Sequence, residues 1–337
     1  MLLRLSAMVC ALACAGVVHA RPLEIYFIDV EGGQSTLIVS PSGQSLLIDA
    51  GWRGFEGRDA GRIVQAAKLA KLKQIDYLLI THYHRDHVGG VPDLAQRIKI
   101  LHYVDHGPNT EDSKVVKEDY SDYVKTLQKG EHTVLKPGDT IPIKDLKISV
   151  LTAAGEVVRS PLLGAGQPNP FCAASPRRED DPTENARSLG VLVTFGSFRF
   201  LDLGDLTWNK ELALMCPNNP IGTVDVYLTS HHGLNQSGSP ALVDAVHPRV
   251  AIMNNGARKG GNPDAWQIVK DSPGLEDLWQ LHYAMEGGKD HNVADPFIAN
   301  VDEHCQGSYL RLTAESNGMF TVWNSRNKFQ KVYKSDK

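Results

Sequence analysis

Ile75-Asp76-Tyr77-Leu78-Leu79-Ile80-Thr81-His82-Tyr83-His84-Arg85-Asp86-His87-Val88-Gly89-Gly90 is the stretch on which the reading of this chain turns. Its first half is a short apolar run of the kind that forms a strand buried on both faces. Where that run stops, His82, His84, Asp86 and His87 place four potential metal ligands within six residues. Gly89 and Gly90 then allow a tight turn before Pro92, a suitable first residue for a helix. A loop at the carboxyl end of a buried strand, opening a helix, is a usual place for reacting groups in an α/β protein. His82 and His84 are two apart, so in an extended segment they point the same way and can share one metal. Asp86 and His87 lie past the bend and can face a second. Imidazole nitrogen and carboxylate oxygen are the ligands Zn(II) takes in catalytic sites, where one position stays open to water. The competing explanation is a polar surface loop with chance histidines. A ligand-dense motif directly after a buried strand argues against it.

This His-x-His-x-Asp-His motif resembles that of the metallo-β-lactamase-fold superfamily. The resemblance implies an α/β fold, a four-layer αββα sandwich, with one or two metals at one sheet edge. It also gives places to residues further along. Asp49, which closes Leu47-Ile48-Asp49-Ala50-Gly51, matches an aspartate that supports the histidine loop from behind. Asp205, in Asp202-Leu203-Gly204-Asp205, matches a carboxylate that bridges two metals. In Ser230-His231-His232-Gly233, His232 matches the last metal ligand and His231 is left to meet the substrate or the leaving group. The reverse assignment of the two stays open at this level. One departure matters: many members carry another histidine before the Gly-Asp, whereas this chain reads Thr183-Glu184-Asn185-Ala186-Arg187-Ser188-Leu189. The first metal then has His82, His84 and Asp205 plus water, and is expected to be held more weakly. Together the motifs look most like the hydrolase domain of competence DNA-uptake proteins, and are similar to bacterial phosphorylcholine esterases. The resemblance covers roughly residues 23–285.

Residues 1–20 read as a secretory signal, with Arg4 as the basic start, an apolar run, and Val18-His19-Ala20 before the cut. Ala11-Leu12-Ala13-Cys14 is a poor match to a lipoprotein site. The expected protein is therefore exported, to the periplasm or beyond, with no membrane span, since no later segment approaches ~18 uncharged apolar residues. Residues 21–337 are expected to form one hydrolase domain. Three cysteines remain after cleavage, Cys172, Cys216 and Cys305, which allow one disulfide and three pairings. Cys172–Cys216 is the expected pair, both being near prolines in loop-like sequence. A net charge of −4 excludes the strong basic excess of a protein that coats nucleic acid. A nuclease is still allowed, because its metals supply local positive charge.

Short strands are expected at residues 23–30, 35–40 and 45–49, and a helix over 58–72 leads into the motif. A charged helix follows over 112–129. His102, His106 and His132 are expected at surfaces or strand ends. Residues 153–186 hold many prolines and glycines without periodicity, and are expected to be an irregular insertion over the active-site edge. A hairpin turns at Gly196-Ser197, later strands lie near 224–230 and 250–253, and two terminal strands span 309–314 and 319–324.

The function expected from these features is hydrolysis of a phosphate ester or diester by an exported enzyme holding one or two Zn(II), with Mn(II) as an alternative. Zinc lowers the pKa of bound water from about 15.7 to about 7, which makes hydroxide available at neutral pH. Asp86 and His231 are the expected catalytic residues. Arg258, Lys259 and His282, near predicted strand ends, are candidates to hold the phosphate of a small-molecule or phosphodiester substrate. Two readings compete. Lactone or β-lactam hydrolysis is disfavoured by the missing histidine, and a non-catalytic metal- or ligand-binding module is disfavoured by the nearly full ligand set.

Overall fold

Alternation along the strands sets the layers. In Leu23–Phe27 the odd residues Leu23, Ile25 and Phe27 enter one core while Tyr26 enters another. Ser45–Ile48 does the same with Leu46 and Ile48 on one side and Leu47 on the other. In the second half of the chain, Val250 and Ile252 share the first core and Ala251 and Met253 belong to a third. Strands buried on both faces need a layer on each side. The computed structural model, which describes residues 21–334, supplies them. The signal-peptide expectation lies outside the described residues.

Two nine-stranded sheets face each other across the central core. The first runs Gln330–Tyr333, Phe320–Asn324, Leu310–Ala314, Leu23–Phe27, Thr36–Val39, Ser45–Ile48, Gln74–Leu79, Lys99–Asp105, Glu131–Val134. The second runs Ile298–Asn300, Asp277–His282, Val250–Met253, Val226–Leu228, Phe198–Asp202, Gly190–Phe195, Lys147–Ala153, Thr140–Ile141, with Glu156–Val157 paired beside Lys147–Ala153. Helices Arg58–Leu69 and Val91–Arg97, and Val116 and Tyr123 of Lys114–Leu127, cover the outer face of the first sheet. Helices Trp208–Met215, Pro240–Val246 and Pro263–Lys270 cover that of the second. The architecture is the four-layer αββα sandwich.

Parallel pairing positions the site. Ser45–Ile48, Gln74–Leu79 and Lys99–Asp105 are mutually parallel, as are Phe198–Asp202, Val226–Leu228, Val250–Met253 and Asp277–His282. Parallel strands deliver their carboxyl ends to one edge, where their loops can meet.

Several elements escape the sequence patterns. Glu131–Val134 is a wholly exposed edge strand, so it has no buried face to alternate. Gln330–Tyr333 is a further edge strand with only Tyr333 buried. Helix Pro263–Lys270 is short and starts from the Asn262 side chain, which accepts from the Asp264 N–H. The 153–186 stretch is better anchored than its composition suggests. Gln167–Pro168 pairs with Asn218–Asn219, Cys172 is bonded to Cys216, and Asn169 donates to Met215 and Ala241 carbonyls. Much of it therefore packs on the outer helices of the second sheet, and its carboxyl end, Thr183–Arg187, reaches the loops beside the motif.

Candidate metal centre

The histidine loop is held from behind before it meets any ligand. Asp49 sits at φ 60° past its strand and accepts from the Thr81 N–H at 2.8 Å and the Thr81 hydroxyl at 2.7 Å. The same carboxylate is 2.7 Å from His87 Nδ1, so that nitrogen carries a proton and Nε2 is the atom turned to the cluster. Gln34 links the two halves: its N–H donates to the Asp86 carbonyl at 3.1 Å and its amide to the Asp202 carboxylate at 3.0 Å. Gly204 follows at φ 56°, and a Cβ there would lie 2.8 Å from Thr81 Cβ. The close approach of the two loops therefore requires glycine immediately before Asp205.

Four side chains converge at this edge. His87 Nε2 lies 3.2 Å from His232 Nε2, 3.2 Å from Asp86 Oδ2 and 3.2 Å from Asp205 Oδ2. His232 Nε2 lies 3.1 Å from Asp86 Oδ2 and 3.4 Å from Asp205 Oδ2. Asp205 Oδ2 is also 3.4 Å from His231 Nε2 and 3.9 Å from His82 Nε2, so one carboxylate oxygen faces both sides of the cluster. Burial alone would raise Asp205, but His232, His87 and His231 hold it well below the usual carboxylate range. Burial likewise opposes the charged forms of Asp86 and His87. His87 and Lys259 nevertheless hold Asp86 low, and Asp205, Asp86 and Asp49 drive His87 high. Two carboxylates thus demand positive charge between them.

The donor set fits a divalent cation. Asp86, His87, Asp205 and His232 present ligand atoms within 4.8 Å of one another, all buried. Buried His82 Nε2 and Asp205 Oδ1 have no hydrogen-bond partner among the described residues. A buried polar atom left in that state costs about 1–3 kcal/mol, and a bound ion removes the cost. Imidazole and carboxylate together suit a zinc-like ion.

The remaining sequence candidates fall in different places. His82 is fully buried, with Nδ1 3.1 Å from the Thr81 hydroxyl. His84 stacks edge-on to His82 at 4.7 Å between rings, but its Nε2 is turned to Glu111 at 3.0 Å. His231 stands beside the cluster, its pKa pushed down to about 4 by burial against the pull of Asp205. Lys259 reaches Asp86 and lies 4.9 Å above the Trp52 ring, with its side chain 31% exposed. Arg258 and His282 are not brought to the ligands. Arg258 is exposed and paired with Glu303, and His282 is buried 2.7 Å from Asp29. Asp29, His282 and Cys305 could in principle share an ion, but Arg62 already supplies the cation there, 2.9 Å from Asp29. Burial and Asp29 push the Cys305 thiol up to about 12, which also disfavours a thiolate ligand. His106, expected at a surface or strand end, directly follows strand Lys99–Asp105 and is buried, with Nε2 3.0 Å from Glu184. Glu111, Glu184 and Trp52 carry no motif, and sequence reasoning passed over them.

Fold and donor set together define an αββα sandwich with a buried His/Asp cluster able to hold a divalent metal. Residues 28–181 match the model of the Metallo-beta-lactamase superfamily, and the chain carries a domain of that superfamily. It is 25% identical to ComE operon protein 3 of Bacillus subtilis over 69% of this chain and 28% of that protein. It is 33% identical to Ribonuclease Z of Methanopyrus kandleri over 34% of this chain and 37% of that protein. The chain thus matches only about a quarter to a little over a third of these relatives' length. Among solved structures, the metallo-beta-lactamase fold protein YhfI from Bacillus subtilis aligns over 77% of this chain and 96% of its own, with 12% identity and a TM-score of 0.47.

Proposed function

We propose that this protein is an exported phosphoesterase, acting on a phosphate monoester or diester with Zn(II) or Mn(II). The observation that carries the reading is the placement of Lys259. Its ammonium group sits on the ligand carboxylate Asp86 and against the Trp52 face, at the half-open rim of an otherwise buried donor cluster. A partly exposed cation at that rim suits an anionic group of the substrate, and Lys is a point-charge binder of phosphate. His87, His232, Asp86 and Asp205 would hold one ion, and His82, His84 and Asp205 the other. When bound, such ions supply Lewis-acid polarisation and an acidic water. Asp205 keeps the two sides in register, because its Oδ2 faces His82 as well as His87 and His232. His231, beside the cluster and neutral at pH 7 with its pKa pushed down to about 4, would relay a proton to the leaving oxygen. Export rests on residues 1–20 and belongs to the same proposal.

A panel of nitrophenyl phosphodiester, nitrophenyl phosphomonoester, lactone and β-lactam substrates, run with Zn(II) and with Mn(II), tests it. Turnover of a phosphate ester, weakened chiefly in KM by Lys259→Ala, is the expected result. Turnover confined to the lactone or β-lactam overturns the proposal.

A further inference from the structure

Glu111 lies on the loop between strand Lys99–Asp105 and helix Lys114–Leu127. Its Oε2 accepts two hydrogen bonds, from the Glu184 backbone N–H at 2.9 Å and from His84 Nε2 at 3.0 Å. The contact is reciprocal. Thr110 N–H donates to Glu184 Oε1 at 3.2 Å, and the fully buried Glu184 carboxylate also meets His106 Nε2 at 3.0 Å. Two loops more than seventy residues apart are thereby locked together beside the motif.

A ring nitrogen that donates to a carboxylate is not free to bind a cation. With Nε2 committed to Glu111, His84 keeps only Nδ1 as a ligand atom. The same device is present on the other side of the site, where Asp49 accepts from the His87 Nδ1–H at 2.7 Å and Nε2 is the converging atom. Glu111 is not itself placed as a ligand, since Oε2 already carries two donors and neither it nor His84 belongs to the group of four converging side chains.

We propose that Glu111 is a positioning residue for the weaker metal position, fixing the His84 tautomer and orientation and raising the basicity of its Nδ1. In the stretch Thr183–Leu189, which lacks a histidine, the chain supplies a backbone N–H at Glu184 that steadies Glu111. The missing ligand is offset by better control of an existing one. This inference rests on the reading of the site as a two-metal centre, and the test separates the two.

Zn(II) affinities for each equivalent are measured by chelator competition on the wild type, Glu111→Ala, Glu111→Gln, His84→Ala and the Glu111→Ala, His84→Ala double variant. Glu111→Ala is expected to weaken the looser equivalent about 10–100-fold, the usual range for loss of such a partner, with the tighter one unchanged. Glu111→Gln loses less, because its amide oxygen still accepts the Nε2–H. On the His84→Ala background Glu111→Ala adds no further loss, a non-additivity that general loosening of the fold would not produce. Unchanged affinities, equal weakening of both equivalents, or a loss that persists without His84 each overturn the role of Glu111. A wild type that binds one equivalent and ignores Glu111 does the same. A wild type that binds no divalent metal overturns the metal-centre reading itself.

Discussion

His231 and His232 are adjacent, both left-handed at φ 53° and 56°, yet their rings meet different neighbours. Such backbone costs of order 1–3 kcal/mol per residue and persists where surrounding bonds over-determine it. Here the His231 N–H donates to the Gly204 carbonyl and the Gly261 N–H to the His232 carbonyl, both at 3.0 Å. The turn aims His232 Nε2 at Asp86 and His87, whereas His231 Nε2 faces Asp205 at 3.4 Å and its Nδ1 lies 3.5 Å from the Ser237 hydroxyl. His232→Ala is therefore expected to lower metal occupancy, with partial recovery in excess Zn(II). His231→Ala should keep its metals and lose roughly 10²–10⁴-fold in rate, less for a nitrophenolate leaving group that needs little protonation. Metal analysis of both variants, run beside their kinetics, distinguishes the roles. An emptied position in His231→Ala with full occupancy in His232→Ala would exchange them.

At the scale of elements, helix Trp208–Met215 controls the loop that returns from the histidine turn. Glu211 projects from it and accepts from the Gly238 N–H at 2.8 Å and the Ser239 N–H at 2.7 Å, just ahead of helix Pro240–Val246. Burial pushes Glu211 up to about 7 from 4.5 despite those two donors. A carboxyl raised on folding contributes stability that is full below its unfolded pKa and is lost as pH rises through its folded one. Denaturant midpoints of the wild type and Glu211→Gln should therefore diverge between pH 4.5 and about 7, the wild type losing relative stability as pH rises, and run parallel outside that window. Parallel curves throughout would show that Glu211 titrates normally. The elements also show what was legible in the sequence. Asp86, His87, Asp205 and His232, which the fold brings together, stand out in the sequence because strand-end chemistry packs potential ligands into a few consecutive residues. Glu111, Glu184 and His106 could not, because each acts through a contact made only when distant loops meet. The edge strand Glu131–Val134 was hidden for a different reason, having no buried face to leave a pattern.

For the whole molecule, two facing sheets bring parallel strand ends to one edge, and each half contributes ligands that are incomplete alone. Asp49, Asp86 and His87 come with the first sheet, Asp205 and His232 with the second, and Gln34 ties the halves through Asp202. Four side chains converge on one side, whereas on the other stand His82, a His84 turned toward Glu111, and a share of Asp205. On the proposed two-metal reading, that asymmetry predicts two metals of unequal affinity. The most direct test of the account is turnover of a nitrophenyl phosphodiester by the protein before and after stripping with chelator. Activity should vanish on stripping, return with Zn(II) or Mn(II), and stay lower by orders of magnitude in Asp205→Ala, whose carboxylate faces both positions. A rate indifferent to stripping, or an Asp205→Ala variant that keeps its metals and its rate, would contradict it.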